Sequence, residues 1–153
     1  SAITLSPDHG GAFETLLGLV RFGVGGTAGD GRQYVSWIHD QDFVAAVRWL
    51  MAHGDVDGVV NVASPNPVPN AEFMRVLRHA AGQPFGLPAS RLMLEAGAVF
   101  MRTETELILK SRRVVPGRLL DLGFAFRYPV WRDAAADLYR RWRLAHDSQD
   151  HVA

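Results

Sequence analysis

Tyr34-Val35-Ser36-Trp37-Ile38-His39-Asp40-Gln41-Asp42-Phe43-Val44 changes its periodicity halfway along. Its first half is rich in β-branched and aromatic residues, which pack well on a pleated surface, and predicts a strand over 34–38. From Asp40 onward the apolar positions fall at helical spacing. Phe43, Val44, Val47, Leu50 and Met51 make one stripe, with Asp40 placed to cap its start and Gly54 to end it after His53. A strand that runs directly into a helix is the repeating unit of α/β folds.

The flanking sequence extends the alternation. Upstream, Ile3-Thr4-Leu5 predicts a short strand stopped by Ser6-Pro7-Asp8. Ala12 to Phe22 carries Phe13, Leu16, Leu17 and Val20 at helical spacing and runs into a flexible glycine-rich loop from Gly23. Downstream, Val59-Val60-Asn61-Val62-Ala63 is nearly all apolar, which suits a deep strand covered on both faces. Ser64 to Pro69 holds three prolines and predicts a stiff loop, and Asn70 caps a helix bearing Phe73, Val76, Leu77 and Ala80 with Gly82 beyond it. Pro88 opens a further helix through Phe100, and Arg112 to Val115 is a short extended piece. Pro116 to Leu122 is a short helix stopped by Gly123. Trp131, Ala135, Leu138 and Trp142 mark a last helix that frays after Leu144. The whole reads as one α/β unit, mostly helical with a few short strands. Those strands make a poor sheet for 153 residues, so the chain is expected to be part of something larger.

Composition removes several classes of function. Lys+Arg and Asp+Glu are both 16, so no overall field draws nucleic acid or an anionic membrane. Lys110 is the sole lysine, and the absence of cysteine removes disulfide scaffolds, thiolate zinc sites and cysteine nucleophiles. No apolar run approaches the roughly 18 residues of a membrane span, so a soluble, cytoplasmic protein is expected.

Motifs with chemistry are few. Gly23-Val24-Gly25-Gly26-Thr27-Ala28 fits the letters of a dinucleotide fingerprint, but it follows a helix and precedes a strand, the reverse of the required order. A mobile loop beside a pocket is the better expectation. Ser36, His39 and Asp42 are the residue types of a nucleophilic triad without a nucleophile elbow, and their plain reading is a cap by Asp40 or Asp42 with His39 packed at the helix entrance. The histidines lack metal-ligand spacing, so no metal is expected. Arg112-Arg113 and Arg32 could each fork onto an anion or simply form a surface ion pair.

Three blocks in order, Gly29–Asp42, Asn61–Phe73 and Arg113–Pro129, carry a resemblance. Among them are Ser36-Trp37-Ile38-His39, Asn61-Val62-Ala63-Ser64-Pro65-Asn66-Pro67 and Leu122-Gly123-Phe124-Ala125-Phe126-Arg127-Tyr128-Pro129. Together they resemble the C-terminal part of epimerase-family proteins. These are extended short-chain dehydrogenases related to NAD(P)-dependent nucleotide-sugar epimerases and dehydratases, whose C-terminal part carries a small domain of unknown function. The resemblance implies an N-terminal Rossmann domain that binds NAD or NADP and supplies a Tyr-x-x-x-Lys pair, neither of which stands in this chain. Ile3–Leu5 and Val59–Ala63 then look like the last strands of that sheet. The substrate-lining positions implied are Arg32, Gln33, Ser36, Trp37, Pro65, Asn66 and Arg113, with no catalytic, cofactor or metal residue among them. Val35 stands where sugar-nucleotide epimerases tend to carry an arginine, which tells against a diphosphate sugar and leaves Arg32 nearby.

The expectation is thus a single substrate-binding domain over 1–153, inactive alone, with a small, sugar-like substrate. The alternative is a non-catalytic binding or assembly module. In either case the edges of the strands at Ile3 and Val59 are expected to pair with another copy of the chain or to be covered by rearranged helices.

Overall fold

The change of period at Asp40 is a real junction: β3 (Trp37–His39) passes without a loop into α2 (Asp40–Ala52). The computed structural model describes residues 2–87 and 111–150. Around that junction lie β1 (Ile3–Leu5), α1 (Ala12–Arg21), β2 (Tyr34–Val35), β4 (Val68–Pro69), α3 (Asn70–Ala80), α4 (Gly117–Asp121) and α5 (Trp131–Asp150). The helix expected from Pro88 to Phe100 lies outside the described residues.

The strand expected over 34–38 is divided. β1 pairs in parallel with β3, matching Ile3 to Trp37 and Leu5 to His39, whereas β2 pairs antiparallel with β4, matching Tyr34 to Pro69. Ser36 is the residue between the two ladders. Its carbonyl still accepts Ile3 N–H at 2.8 Å, while its hydroxyl turns to the 112–114 segment and so diverts the chain from one sheet to the other. β4 also corrects the all-loop reading of Ser64 to Pro69, because Val68–Pro69 finds an edge to bridge.

Val59–Ala63 is not a strand. Val59 is 84% exposed, and Arg118 Nη1 donates to the carbonyls of Asp57 at 2.5 Å and Val59 at 3.2 Å, which ties the start of the segment to a side chain and not to a ladder. Val60 and Val62 instead rest against a small cluster of Ala46, Leu119 and Phe124.

The main core lies where α1, α3 and α5 close over β1 and β3. Phe73 stacks on Trp131 with ring centroids 4.2 Å apart, Trp37 tilts onto Trp131 at 5.1 Å, and Trp131 Nε1–H donates to the Phe73 carbonyl at 2.9 Å. Burying rings of this size while satisfying the indole donor makes this a strong packing point, since truncating a buried Phe or Trp to Ala typically costs about 3–5 kcal/mol.

α2 departs from this pattern. The apolar stripe read from the sequence is present but not buried: Phe43 is 39%, Val44 46%, Val47 38% and Met51 80% exposed. The fully buried positions are Asp42 and Ala46. The caps differ too. His39, not Asp40, is the N-cap of α2, and α3 starts at Asn70 behind Pro69, with the Asn70 side chain turned away to accept Ala28 N–H at 2.8 Å. α5 stays helical through Asp150 rather than ending near Leu144.

Candidate functional site

Segment 111–114 runs alongside β2 and carries arginines to its edge. Arg112 N–H donates to Tyr34 O at 3.1 Å, Tyr34 N–H donates to Ser111 Oγ at 3.1 Å, and Ser36 Oγ both donates to Arg112 O at 2.5 Å and accepts Val114 N–H at 2.8 Å. Pinned in this way, Arg113 lays its guanidinium over the Tyr34 ring at 5.1 Å. The quadrupole of the ring steadies the cation without neutralising it, so its N–H fork remains available. Among the described residues neither Arg112 nor Arg113 has a carboxylate partner, unlike Arg75 with Glu72 or Arg141 with Asp40.

Most of the other residues predicted to line a pocket are engaged in bonds within the fold. Trp37 is fully buried and its indole N–H donates to Asn66 O at 3.0 Å, while Asn66 Nδ2 donates to Pro129 O at 2.8 Å. Pro65 is half-buried in the same turn. Gln33 sends Nε2 to Ala28 O at 2.8 Å and accepts Asn70 N–H on its carbonyl. Arg32 is exposed, with its backbone N–H bound by Asp30. The fold therefore joins Ser36 to the 112–114 segment and Trp37 to Asn66.

A second cluster went unread in the sequence. His39 is fully buried, its ring stacked on Tyr128 at 4.0 Å. Its Nε2 lies 3.0 Å from Asp137 Oδ2, and its Nδ1 lies 3.1 Å from Gln41 N and 3.0 Å from Asp40 Oδ1. Arg141 forks onto both oxygens of Asp40 at 2.8 Å and reaches Asp137, which also pairs with Arg140. Burial works against the charge of Asp40, but Arg141 and His39 outweigh it and hold the carboxyl well below the usual range. Asp137 is likewise held low by His39 and Tyr128 against its burial. Burial, with Asp137 adding to it, pushes the Tyr128 phenol up. Nothing in the sequence signals the His39–Asp137 pair, which spans 98 positions.

The glycine-rich stretch does not fit a dinucleotide. A Cβ on Gly25 would lie 2.5 Å from Val20 Cγ2, so the close approach serves helix α1 rather than a ligand. Gly26 N–H is taken by Leu87 O, Gly23 O by Leu87 N–H, and Gly25 O by Arg78 at 2.7 Å. The loop expected to be mobile is tied down, and the amides of Gly23, Val24, Gly26 and Ala28 are already bound within the fold and not turned to a pyrophosphate. A cleft of about 490 Å³ lies nearby at the C-terminal end of α3, lined by Arg75, Arg78, His79, Gly82, Gln83 and Pro84. It includes none of the predicted pocket residues. Among the described residues no group of three or more His, Asp or Glu is placed to hold a metal ion, and no helix is long and apolar enough to cross a membrane.

Parallel β1–β3 pairing, helices closing over it and the Ser36–Trp37 seam agree with the epimerase-type resemblance, and comparison with known proteins bears it out. The chain is similar to epimerase-family proteins over most of its own length. Residues 89–138 match the domain of unknown function DUF1731. An epimerase family protein of Staphylococcus epidermidis, SERP0438, is 35% identical over 133 residues, covering 87% of this chain and 44% of that protein. The epimerase family protein SDR39U1 of Bos taurus is 35% identical over 121 residues, 78% of this chain and 40% of its own length. The crystal structure of human epimerase family protein SDR39U1 (isoform 2) with NADPH superposes with a TM-score of 0.79 at 29% identity, over 91% of this chain and 46% of that one. The chain thus spans less than half the length of each of these relatives.

Proposed function

We propose that residues 1–153 form the substrate-binding C-terminal lobe of an NAD(P)-dependent, sugar-type epimerase, dehydratase or reductase, inactive by itself. In this reading an N-terminal dinucleotide-binding domain supplies the cofactor cradle and the proton-transfer groups. The observation that carries the proposal is α2. An exposed stripe of Phe43, Val44, Val47 and Met51 is unusual on a free surface and ordinary where a second domain packs. Beside α2, β1 has a ladder partner on one side only among the described residues, so an adjoining sheet can continue from it. The glycine loop leaves no dinucleotide cradle, and the relative holding NADPH is about twice as long as this chain.

Substrate recognition falls to the seam. Arg113 over Tyr34, with Arg112 beside it and Arg32 on the preceding loop, presents guanidinium forks suited to an anionic group on a small, hydroxyl-bearing substrate. Ser36, Trp37, Pro65 and Asn66 hold the wall behind them.

Calorimetry with NADPH tests the proposal directly. The chain alone should show no binding, and the same chain joined to its upstream dinucleotide-binding portion should bind stoichiometrically. Stoichiometric binding by the chain alone would overturn it. Light scattering of the isolated chain bears on the alternative of an assembly module. Self-association abolished by charge on the α2 stripe but absent in the joined protein fits a lobe, whereas the same oligomer in both fits a module.

A further inference from the structure

The His39 ring is more constrained than a helix cap requires. A neutral imidazole has one donor and one acceptor nitrogen, yet both nitrogens lie 3.0 Å from a carboxylate oxygen, Nδ1 from Asp40 and Nε2 from Asp137. Nδ1 is at the same time 3.1 Å from the Gln41 N–H that it caps. Accepting from Gln41 and donating to Asp40 are mutually exclusive for one atom. In the neutral form Nε2–H serves Asp137 and the Nδ1 lone pair serves Gln41, and the Arg141 fork offsets the repulsion between that lone pair and Asp40. In the protonated form Asp137 keeps its donor, Asp40 gains one and Gln41 loses its acceptor.

We propose that His39 is a proton-operated tie at the β3–α2 junction, capping α2 when neutral and, when protonated, releasing the Gln41 amide to bridge Asp40 and Asp137. The charged and titratable groups around the ring are these: Asp40 and Asp42 on α2; Asp137, Arg140 and Arg141 on α5; and Tyr128, itself under Arg127, in the turn before α5. From the β1 side Ser6 contacts Asp40, and Asp8 binds Ser6. Both acceptor carboxylates are held low, so they remain ionised throughout the pH range in which histidine side chains usually titrate. Because His39 ends the strand that begins with Trp37, the tie links proton uptake to the footing of the seam. The tie does not depend on the two-lobe reading.

Ring ¹⁵N shifts of His39 and hydrogen exchange at the Gln41 amide, followed in the full chain from pH 8 to pH 5, test it. The expected result is a ring protonated only at Nε2 at pH 8. On acidification Nδ1 should gain a proton while the Gln41 protection factor, corrected for the pH dependence of intrinsic exchange, falls by about five- to tenfold, the equivalent of one neutral hydrogen bond. Asp40→Asn removes the anionic acceptor without emptying its place and should shrink the loss of Gln41 protection on acidification. The proposal is overturned by a ring already doubly protonated at pH 8, or by a ring that gains its proton while the Gln41 protection factor stays unchanged. Asp40→Asn behaving as wild type, or unfolding before the ring gains its proton, would overturn it equally.

Discussion

Asp42 receives the backbone N–H of Tyr128 on Oδ2 at 2.8 Å, across 86 positions of sequence, and that of Arg127 on Oδ1 at the same distance. A carboxylate that is only 2% exposed thereby fixes the turn leading into α5 against the first turn of α2. It also sets the ring of Tyr128 over His39.

Removing that carboxylate strands two backbone donors at once. Asp42→Ala should lower stability by about 3 kcal/mol, because hydrogen bonds to a charged group contribute roughly 1.5–3 kcal/mol each and partial solvation recovers some of the loss. Asp42→Asn keeps one carbonyl acceptor and should lose about half as much. Urea unfolding curves of the three proteins, with equal slopes, check the order.

Acid should loosen the same region. Asp40 and Asp137 are held below their ordinary range in the folded chain. Their contribution is therefore complete above the unfolded-state value of about 4 and is lost progressively as the pH falls below it. Thermal unfolding should show a falling Tm below about pH 4, and Asp137→Asn should flatten that dependence while lowering the plateau at neutral pH. A plateau that continues unchanged to pH 2 would contradict it.

The α2 stripe separates the stability of this chain from that of the two-lobe assembly. Val44→Glu and Val47→Glu replace exposed side chains, so each should change the stability of the isolated chain by no more than about 0.5 kcal/mol. In the proposed two-lobe protein the same changes would place charge in the interface we infer and should split its thermal unfolding, followed by calorimetry, into two transitions.

How far the sequence could be read depended on whether a signal was local. α1 and α3 and their buried faces follow from spacing alone, because Phe13, Leu17, Phe73 and Leu77 meet partners inside this chain. The stripe on α2 has the same spacing and remains exposed, since periodicity shows that a face is apolar without saying what covers it. Val59–Ala63 carries the composition of a buried strand, but a strand needs a ladder, and here none forms while Arg118 takes the Val59 carbonyl. Division of 34–38 at Ser36 depends on a hydroxyl meeting Arg112 and Val114, more than seventy residues away, and the His39–Asp137 pair is equally non-local. The candidate pocket residues follow from resemblance, and what the structure adds is their internal bonding, as in Trp37 to Asn66 and Gln33 to Ala28.

The loop that carries Arg32 and Gln33 gives the last prediction. Gly31 has φ +72°, and a Cβ there would lie 2.3 Å from Thr27 Cγ2 and 2.9 Å from Ala71 Cβ, while Ala71 N–H is bound to the Gly31 carbonyl at 3.1 Å. Gly23 shares the left-handed backbone, with φ +78°, but has open space where a Cβ would go. Gly23→Ala should therefore cost only the left-handed strain of about 1–2 kcal/mol, whereas Gly31→Ala adds a steric displacement of the loop from α3 and should cost at least 1 kcal/mol more. Thr27→Ser removes the obstructing methyl and should recover part of the difference in a Gly31→Ala background while leaving Gly23→Ala unaffected. Equal losses at the two glycines in denaturant unfolding would show that the contact between the loop and α3 yields freely, and that Arg32 is not held by it.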